Sequence, residues 1–196
     1  FDITRKTSMH DWHAKHKAEF ENVGQWKRAW YYPLESESMH EAVQRESKAA
    51  RDSAGILDAS TLGKIDIQGS DASEFLNRVY TNSWSKLEIG KCRYGLMLNE
   101  DGMVYDDGVT TRLDTNHYIM TTTTGGAANV LSKLEDYLQT EWPELDVYLT
   151  SVTDNYATIS ICGPNSKKIL SKVIPDLNLS DKEFPHMSFK NALIDN

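Results

Sequence analysis

The sequence predicts an α+β fold in which antiparallel sheets pack against helices. Two observations predict it: strand-like runs are broken by single helical segments, and several connections between strands are short enough for hairpins. The clearest hairpin joins residues 91–98 to 103–112 through the turn Asn99–Gly102. No internal repeat or low-complexity stretch interrupts this organisation.

The first third of the chain contains an arm, a helix and two strands. Residues 1–37 are rich in large aromatic side chains but show no clear period, so we expect an irregular arm packed across a globular body. The spacing of Ser38 and Glu41 is that of a capping box, and it opens a helix that stops before Gly55. Strands are expected at 55–60 and 63–69. We therefore divide the chain into an N-terminal arm, 1–37, and one domain, 38–196.

The rest of the chain continues the same pattern. Apolar residues at helical spacing predict helices over 71–80 and 126–142, the second ending before Pro143. Around the hairpin, residues 117–123 read as a third strand. Residues 146–152 and 156–162 are expected to form two antiparallel strands, and Gly163-Pro164 opens a last helix that runs through Val173.

Composition excludes several classes of function. The 196 residues carry a formal charge of −8 at neutral pH, and the basic residues are scattered, which argues against a nucleic-acid interface. No apolar run approaches the roughly 20 residues that span a bilayer, and no secretory signal opens the chain, so we expect a cytoplasmic protein. The chain begins without Met and ends as another strand begins, so we expect a piece of a longer polypeptide.

Two adjacent carboxylates, Asp106 and Asp107, lie between strand-like flanks. Alternation puts Val104 and Asp106 on one face of the strand and Tyr105 and Asp107 on the other. Burial of either face therefore buries a carboxylate. The pair could simply end or bulge the strand. It could instead hold a carboxylate beside a substrate amine, where it accepts a proton or stabilises positive charge. The spacing leaves both alternatives open.

Tyr94 lies on the first strand of the hairpin, about as far from the turn as the Asp pair on the second strand. Such residues are cross-strand neighbours in an antiparallel hairpin. A phenol and a carboxylate at that separation could flank a small amine or heterocycle, or the tyrosine could be an ordinary strand residue that hydrogen-bonds an aspartate. The residues alone do not decide between these.

Other motifs favour plain structural interpretations. Gly125-Gly126 lacks the partners of a phosphate loop and is interpreted as a strand-to-helix turn. His10, His13 and His16 have no matching carboxylate and are expected in a solvated segment, so no metal site is predicted.

Five stretches, in matching order along the chain, resemble the folate-binding aminomethyltransferase family, which includes the T-protein of glycine cleavage. They are WKRAWYYP at 26–33, HEAV at 40–43, GILDASTLGKI at 55–65, YGLMLNEDGMVYDD at 94–107 and CGP at 162–164. Within this family, the stretches ASTLGKIDIQG and DDGVTTR are most similar to the C-terminal region of sarcosine oxidase alpha subunits. The resemblance implies the aminomethyltransferase folate-binding fold, truncated here before its C-terminal barrel.

The resemblance also implies site residues and cofactors. The second Asp of the family's paired-Asp motif, placed beside the reactive nitrogen of tetrahydrofolate, falls on Asp107, and the pocket-lining Tyr of the preceding strand falls on Tyr94. Leu62 takes the place of a Met that forms an apolar wall in the T-protein. Tetrahydrofolate is the implied cofactor of this region, with flavin and NAD expected elsewhere in the full enzyme. Asp106 is expected to be mainly structural.

By resemblance, this region captures the one-carbon unit of sarcosine oxidation, as imine or formaldehyde, to give 5,10-methylene-tetrahydrofolate. The expected partners are a small-molecule substrate and the other subunits of a hetero-oligomeric oxidase, with no nucleic acid or membrane. The fragment alone is expected to be inactive, because the pterin-gripping Glu of the family lies beyond it. The alternatives are an aminomethyltransferase of glycine cleavage and a noncatalytic folate-binding scaffold.

Overall fold

The structure is a computed structural model that describes residues 3–194, and its contacts divide the chain into two compact units. Unit 1 contains the chain up to Thr61, the segment Tyr156–Leu179 and a short piece from Ala192. Unit 2 contains Leu62–Asn155 and Ser180–Asn191. Both units are built from helices and mainly antiparallel strands, so the predicted α+β class is confirmed.

Unit 1 has two small sheets. In the first, β1 pairs parallel with β3, and β3 pairs antiparallel with β2; in the second, β4 pairs antiparallel with β10. The elements are β1 (Arg5–Lys6), α1 (His10–Lys15), β2 (Glu19–Val23), β3 (Trp26–Tyr31), α2 (Met39–Asp52), β4 (Gly55–Asp58), β10 (Ile159–Cys162) and α5 (Ser166–Val173). The expectation of an irregular segment before residue 38 is therefore wrong: it forms a helix and three strands.

The capping box that predicted α2 is present. The Ser38 hydroxyl accepts a hydrogen bond from the Glu41 amide, and the Glu41 carboxylate accepts one from the Ser38 amide. These two bonds satisfy backbone donors that the first turn of a helix leaves without partners. The local sequence signal is thus sufficient to place this helix start.

His13 is not solvated as the sequence predicts, because it is only 4% exposed and has two partners in unit 1. Its Nε2 lies 2.9 Å from Asp58 Oδ2, and its Nδ1 lies 2.5 Å from the Tyr32 hydroxyl. A buried imidazole needs partners for both ring nitrogens. These contacts link α1, β4 and the segment after β3, and sequence spacing alone could not show them because the partners lie far apart in the chain.

Unit 2 is a five-stranded sheet in the order β6-β7-β8-β5-β9 with two helices. Its elements are β5 (Gly63–Gln68), α3 (Ala72–Val79), β6 (Cys92–Leu98), β7 (Val104–Asp114), β8 (His117–Thr122), α4 (Ala127–Asp136) and β9 (Tyr148–Ser151). The predicted helix over 126–142 is α4 continued by a π-helical turn, Tyr137–Glu141. Gly125-Gly126 is the predicted strand-to-helix turn.

One hydrophobic core lies on one face of this sheet. It joins the buried face of α3 and the inner residues of α4 to the strands, and its largest fully buried side chains are Trp84, Tyr118, Phe75, Ile67 and Leu76. The other face of the sheet carries the alternate residues of each strand. This outward face is the one on which the candidate site lies.

The strands predicted at 146–152 and 156–162 exist but do not pair with each other. β9 pairs with β5 in unit 2, whereas β10 pairs with β4 in unit 1. A 3₁₀ turn, Thr153–Asn155, lies between them, and the chain passes from one unit to the other there. Their proximity in sequence suggested a hairpin that the connection does not make.

Candidate functional site

The candidate site is built on the β6–β7 hairpin. The turn between the strands is closed by the hydrogen bonds Asn99 N to Met103 O, 2.8 Å, and Gly102 N to Asn99 O, 2.9 Å. Gly102 has φ +79°, a left-handed conformation that glycine adopts without strain. The turn thus fixes which residues of the two strands face each other.

A β-bulge at Tyr105 sets the direction of the Asp pair. Leu98 pairs with Val104 but Met97 pairs with Asp106, which leaves Tyr105 as an extra residue in β7. The bulge lets two consecutive residues face the core side of the sheet: Tyr105 packs against the core, and Asp106 is buried next to it. The prediction that Tyr105 shares the outward face with Asp107 is therefore wrong, since alternation breaks at the bulge.

The two carboxylates of the pair lie in different environments. Asp106 is 4% exposed and accepts hydrogen bonds from Thr123, from its hydroxyl at 2.7 Å and from its amide at 3.2 Å. Asp107 is partly exposed on the opposite face. Burial of one carboxylate is thus matched by strong donors, as a buried charge requires.

Tyr94 and Asp107 are brought together as the hairpin register predicts. Tyr94 pairs with Val109, one diagonal step from Asp107, and its hydroxyl donates a hydrogen bond to Asp107 Oδ2. This hydrogen bond raises the pKa of the Tyr94 phenol above its ordinary value, because ionising the phenol would remove the donor. Within residues 3–194, no hydrogen-bond donor reaches Asp107 Oδ1, so that oxygen is available to a ligand.

Two apolar side chains flank this polar pair. Leu96 is the direct cross-strand partner of Asp107, and Val109 is that of Tyr94. All four residues lie on the outward face of the sheet, since Gly95 and Met97 between them point into the core. The arrangement is a carboxylate with one free oxygen in an apolar setting, which suits an amine carried on a flat, largely apolar ring.

Leu62, the third predicted site residue, lies on the same sheet two strands from Asp107. It directly precedes β5, whose first residue, Gly63, pairs with Thr122 of β8. By alternation from the core residues Ile65 and Ile67, Leu62 belongs to the outward face. It takes no part in the hydrogen bond between Tyr94 and Asp107.

Sequence reasoning missed two residues that support this face. Lys64 is buried, and its Nζ donates to the carbonyl oxygen of Leu62 at 2.9 Å. Thr123 holds Asp106, as described above. The signal for Lys64 was a lysine alternating with the core residues of β5, whereas the role of Thr123 depends on a contact across 17 positions of sequence.

Neither a metal-binding cluster nor a membrane-spanning helix occurs among residues 3–194. No group of three His, Cys, Asp or Glu side chains in this range is arranged to hold a metal ion. None of the helices formed by these residues combines the length and the apolar character needed to cross a membrane.

Comparison with known proteins gave consistent matches. Residues 9–196 match a family model described as GCVT N-terminal domain. The chain is 57% identical over 194 residues to the sarcosine oxidase subunit alpha of Corynebacterium sp. (strain U-96), covering 99% of this chain and 20% of that protein. It is 30% identical over 191 residues to the aminomethyltransferase of Chlorobium phaeovibrioides, covering 96% of this chain and 49% of that protein.

The fold has a solved counterpart. The glycine cleavage system aminomethyltransferase T from Bartonella henselae superposes with a TM-score of 0.76 at 24% identity, over 88% of this chain and 44% of that one. At this identity the match concerns the fold alone. The chain spans about one fifth of the length of the sarcosine oxidase relative reported above.

Proposed function

The chain belongs to the GCVT N-terminal domain family, and from that premise we propose that it is the tetrahydrofolate-binding part of a sarcosine oxidase alpha subunit. The identity of 57% to a sarcosine oxidase subunit alpha, against 30% to an aminomethyltransferase, favours the oxidase branch. The reaction in this region is capture of the one-carbon unit released by sarcosine oxidation. Flavin, NAD and the other subunits belong to parts of the enzyme outside this chain.

The observation that carries the proposal is the environment of Asp107. Its carboxylate lies on the outward face of the sheet, next to apolar side chains, with one oxygen held by Tyr94 and the other free. A structural aspartate would be satisfied like Asp106 or fully solvated. Asp107 is neither, because it is partly exposed and has one oxygen without a donor among the described residues. Such a carboxylate is suited to receive a proton from a bound amine.

These residues fit a reduced folate. The free Oδ1 of Asp107 would accept a hydrogen bond from the reactive amine, while Leu96 and Val109 would contact the flat ring system, and Leu62 would contribute an apolar wall on the same face. Tetrahydrofolate, when bound, supplies the nucleophilic amine that takes up the one-carbon unit. No charged group other than Asp107 is required of this chain at the reacting atom.

The chemistry of this chain is then proton acceptance. Asp107 receives, at Oδ1, the proton that leaves the amine, and its negative charge stabilises the positive charge that develops beside it. Tyr94 donates to Oδ2, which holds the carboxylate in one rotamer and keeps its other oxygen directed at the ligand. The apolar neighbours limit water around the carboxylate, which strengthens its electrostatic effect.

A binding experiment tests whether this face holds the folate. Tetrahydrofolate is titrated against the full-length protein and against Leu96→Asp, which places a second carboxylate directly opposite Asp107. We expect at least a tenfold weaker Kd for this variant. The matched control is Val104→Asp, an exposed position near the hairpin turn, which should leave the Kd within twofold. Equal Kd values for wild type and Leu96→Asp would contradict the proposed site.

A comparison of two substrates tests whether the chain belongs to a sarcosine oxidase or to a glycine cleavage aminomethyltransferase. Folate-dependent turnover is measured with sarcosine and, separately, with an aminomethyl-lipoyl protein. The proposal predicts product with sarcosine and none above background with the lipoyl protein. The reverse result would assign the chain to glycine cleavage, and folate binding without product in either assay would indicate a scaffold domain.

A further inference from the structure

The ladder between β7 and β8 is incomplete beside the candidate site. Backbone pairing of the two strands runs from Thr110 with Met120 to Asp114 with His117, while the residues of β7 before Thr110 pair with β6 only, apart from the bulge residue Tyr105, which has no partner in either strand. Before Thr110, side-chain hydrogen bonds replace the backbone hydrogen bonds between β7 and β8. The Thr121 hydroxyl accepts from Val109 N at 2.9 Å and donates to Val109 O at 3.1 Å.

Asp106 provides the next link between the two strands. Its Oδ2 accepts the amide of Thr123 at 3.2 Å, and its Oδ1 accepts the Thr123 hydroxyl at 2.7 Å. The same hydroxyl oxygen accepts the amide of Gly126 at 3.2 Å, at the residue that precedes α4. The carboxylate of Asp106 therefore replaces a backbone acceptor and joins β7 to the turn before α4.

We infer that Asp106 is the positioning residue of the site, which fixes the backbone of β7 directly before Asp107. This inference rests on the proposed function. The two residues are adjacent and point to opposite faces, so any movement of the Asp106 backbone moves the Asp107 carboxylate. Without the link, the nearest attachment of this stretch to β8 would be the Thr121 hydroxyl at Val109, two residues beyond Asp107, and the bulge at Tyr105 already weakens its pairing with β6.

The geometry explains why the acceptor is a carboxylate. Both donors come from one residue, Thr123, and they reach two different oxygens of the same side chain. An asparagine at position 106 could accept from the Thr123 amide and donate to the Thr123 hydroxyl, so it would keep a weaker link without charge. Space is also limited on this side, because a Cβ on Gly126 would stand 3.2 Å from Asp106 Oδ1. Alanine at position 106 removes both acceptor oxygens and therefore breaks the link.

The test uses the full-length protein and four variants: Asp106→Ala, Thr123→Val, Thr123→Ser and the double variant Asp106→Ala/Thr123→Val. The measured quantities are kcat and the KM for tetrahydrofolate in formation of 5,10-methylene-tetrahydrofolate. Asp106→Ala and Thr123→Val should each lower kcat by about tenfold or more while KM stays within about twofold, because misplacement of a reacting group affects the chemical step. Thr123→Ser retains the hydroxyl and should stay within twofold of wild type.

The double variant separates positioning from general destabilisation. Asp106→Ala removes both hydrogen bonds to Thr123 and Thr123→Val removes the one from its hydroxyl, so the double variant should be no slower than the slower single variant. The control is Asp176→Ala, the same chemical change at an exposed position of unit 1, which should leave kcat unchanged. Thermal unfolding of each variant sets an assay temperature at which all are folded.

Three results would overturn the inference: a wild-type kcat in Asp106→Ala, equal losses in Thr123→Ser and Thr123→Val, or independent losses that multiply in the double variant. If Asp106→Ala does not fold, the comparison of the two Thr123 variants decides alone. Failure of the proposed function gives a different result, since Asp107→Asn would then form product at the wild-type rate.

Discussion

The buried contact between His13 and Asp58 gives a prediction about stability that does not depend on the proposed function. Both side chains are 5% exposed, and Asp58 also accepts the Ser60 amide at 3.0 Å. In Asp58→Asn, an NH₂ group faces either the imidazole N–H or the Ser60 N–H. If the imidazole changes tautomer to accept from the amide, its other nitrogen must donate to the Tyr32 hydroxyl, whose own proton then loses its acceptor.

Every arrangement of the variant leaves one donor of this cluster without its present acceptor: the His13 ring N–H, the Ser60 amide or the Tyr32 hydroxyl. Loss of a partner in a buried site costs about 1–3 kcal/mol, and the hydrogen bonds of a charged acceptor lie in the upper part of that range. For a protein of this size, 1 kcal/mol lowers Tm by about 2–4 °C, so a cost of about 2 kcal/mol predicts a decrease of about 4–8 °C. Asp52→Asn is the matched control, because Asp52 forms an exposed pair with Lys48 and should change Tm by less than about 2 °C.

The effect should also depend on pH. Burial alone would raise the pKa of Asp58, but hydrogen bonds from Ser60, Thr7 and His13 outweigh it and hold the pKa below its ordinary value. A carboxyl group with a lowered pKa in the folded state stabilises fully above its unfolded pKa of about 3.9, and the stabilisation is lost as pH falls through the folded pKa. The difference in unfolding free energy between wild type and Asp58→Asn should therefore shrink in acid.

The assay is urea unfolding followed by tryptophan fluorescence, repeated from pH 7 into the acid range. Equal unfolding midpoints for wild type and Asp58→Asn at pH 7 would refute the structural role of the contact. A difference that stays constant down to the pH of acid unfolding would refute its electrostatic origin.

Three further predictions concern unit 2, the α2 cap and the site. Gly95→Ala should destabilise the protein by about 1–3 kcal/mol in urea unfolding, because its new methyl group would stand 2.7 Å from Cζ2 of the buried Trp84; a variant as stable as wild type would contradict this close packing. Ser38→Ala should cost about 1 kcal/mol by removing the cap of α2, and Ser38→Asp should restore most of it, both read from Tm. Asp107→Asn should lower the pKa of the Tyr94 phenol towards its ordinary value, since the hydrogen bond to that carboxylate is the main cause of its increase; an unchanged pKa in a spectroscopic titration of Tyr94 would show that the two groups do not interact.

Local sequence signals predicted most of the strands and helices of this fold. The capping box at Ser38, the apolar period of α3 and the turn Asn99–Gly102 are each decided within a few residues, and the structure confirms all three. The hairpin register followed from the turn, and so the proximity of Tyr94 to Asp107 was predictable as well.

Other features depend on contacts between distant parts of the chain. The sheet before residue 38 requires β1 to pair with β3 across 21 positions, and no local period announces it. The bulge at Tyr105 reversed one assignment of faces, because alternation assumes one residue opposite another along the whole strand. The role of Thr123 could not be read from four consecutive threonines, since only the fold shows which of them meets Asp106.

The most direct test of the central claim is the fate of the one-carbon unit in Asp107→Asn of the full-length protein. Sarcosine consumption, 5,10-methylene-tetrahydrofolate and free formaldehyde are measured together at saturating tetrahydrofolate. Loss of a general base predicts about 10²–10⁴-fold slower product formation, with sarcosine consumption unchanged and formaldehyde released in place of the product. An unchanged yield of 5,10-methylene-tetrahydrofolate per sarcosine would contradict the assignment of Asp107.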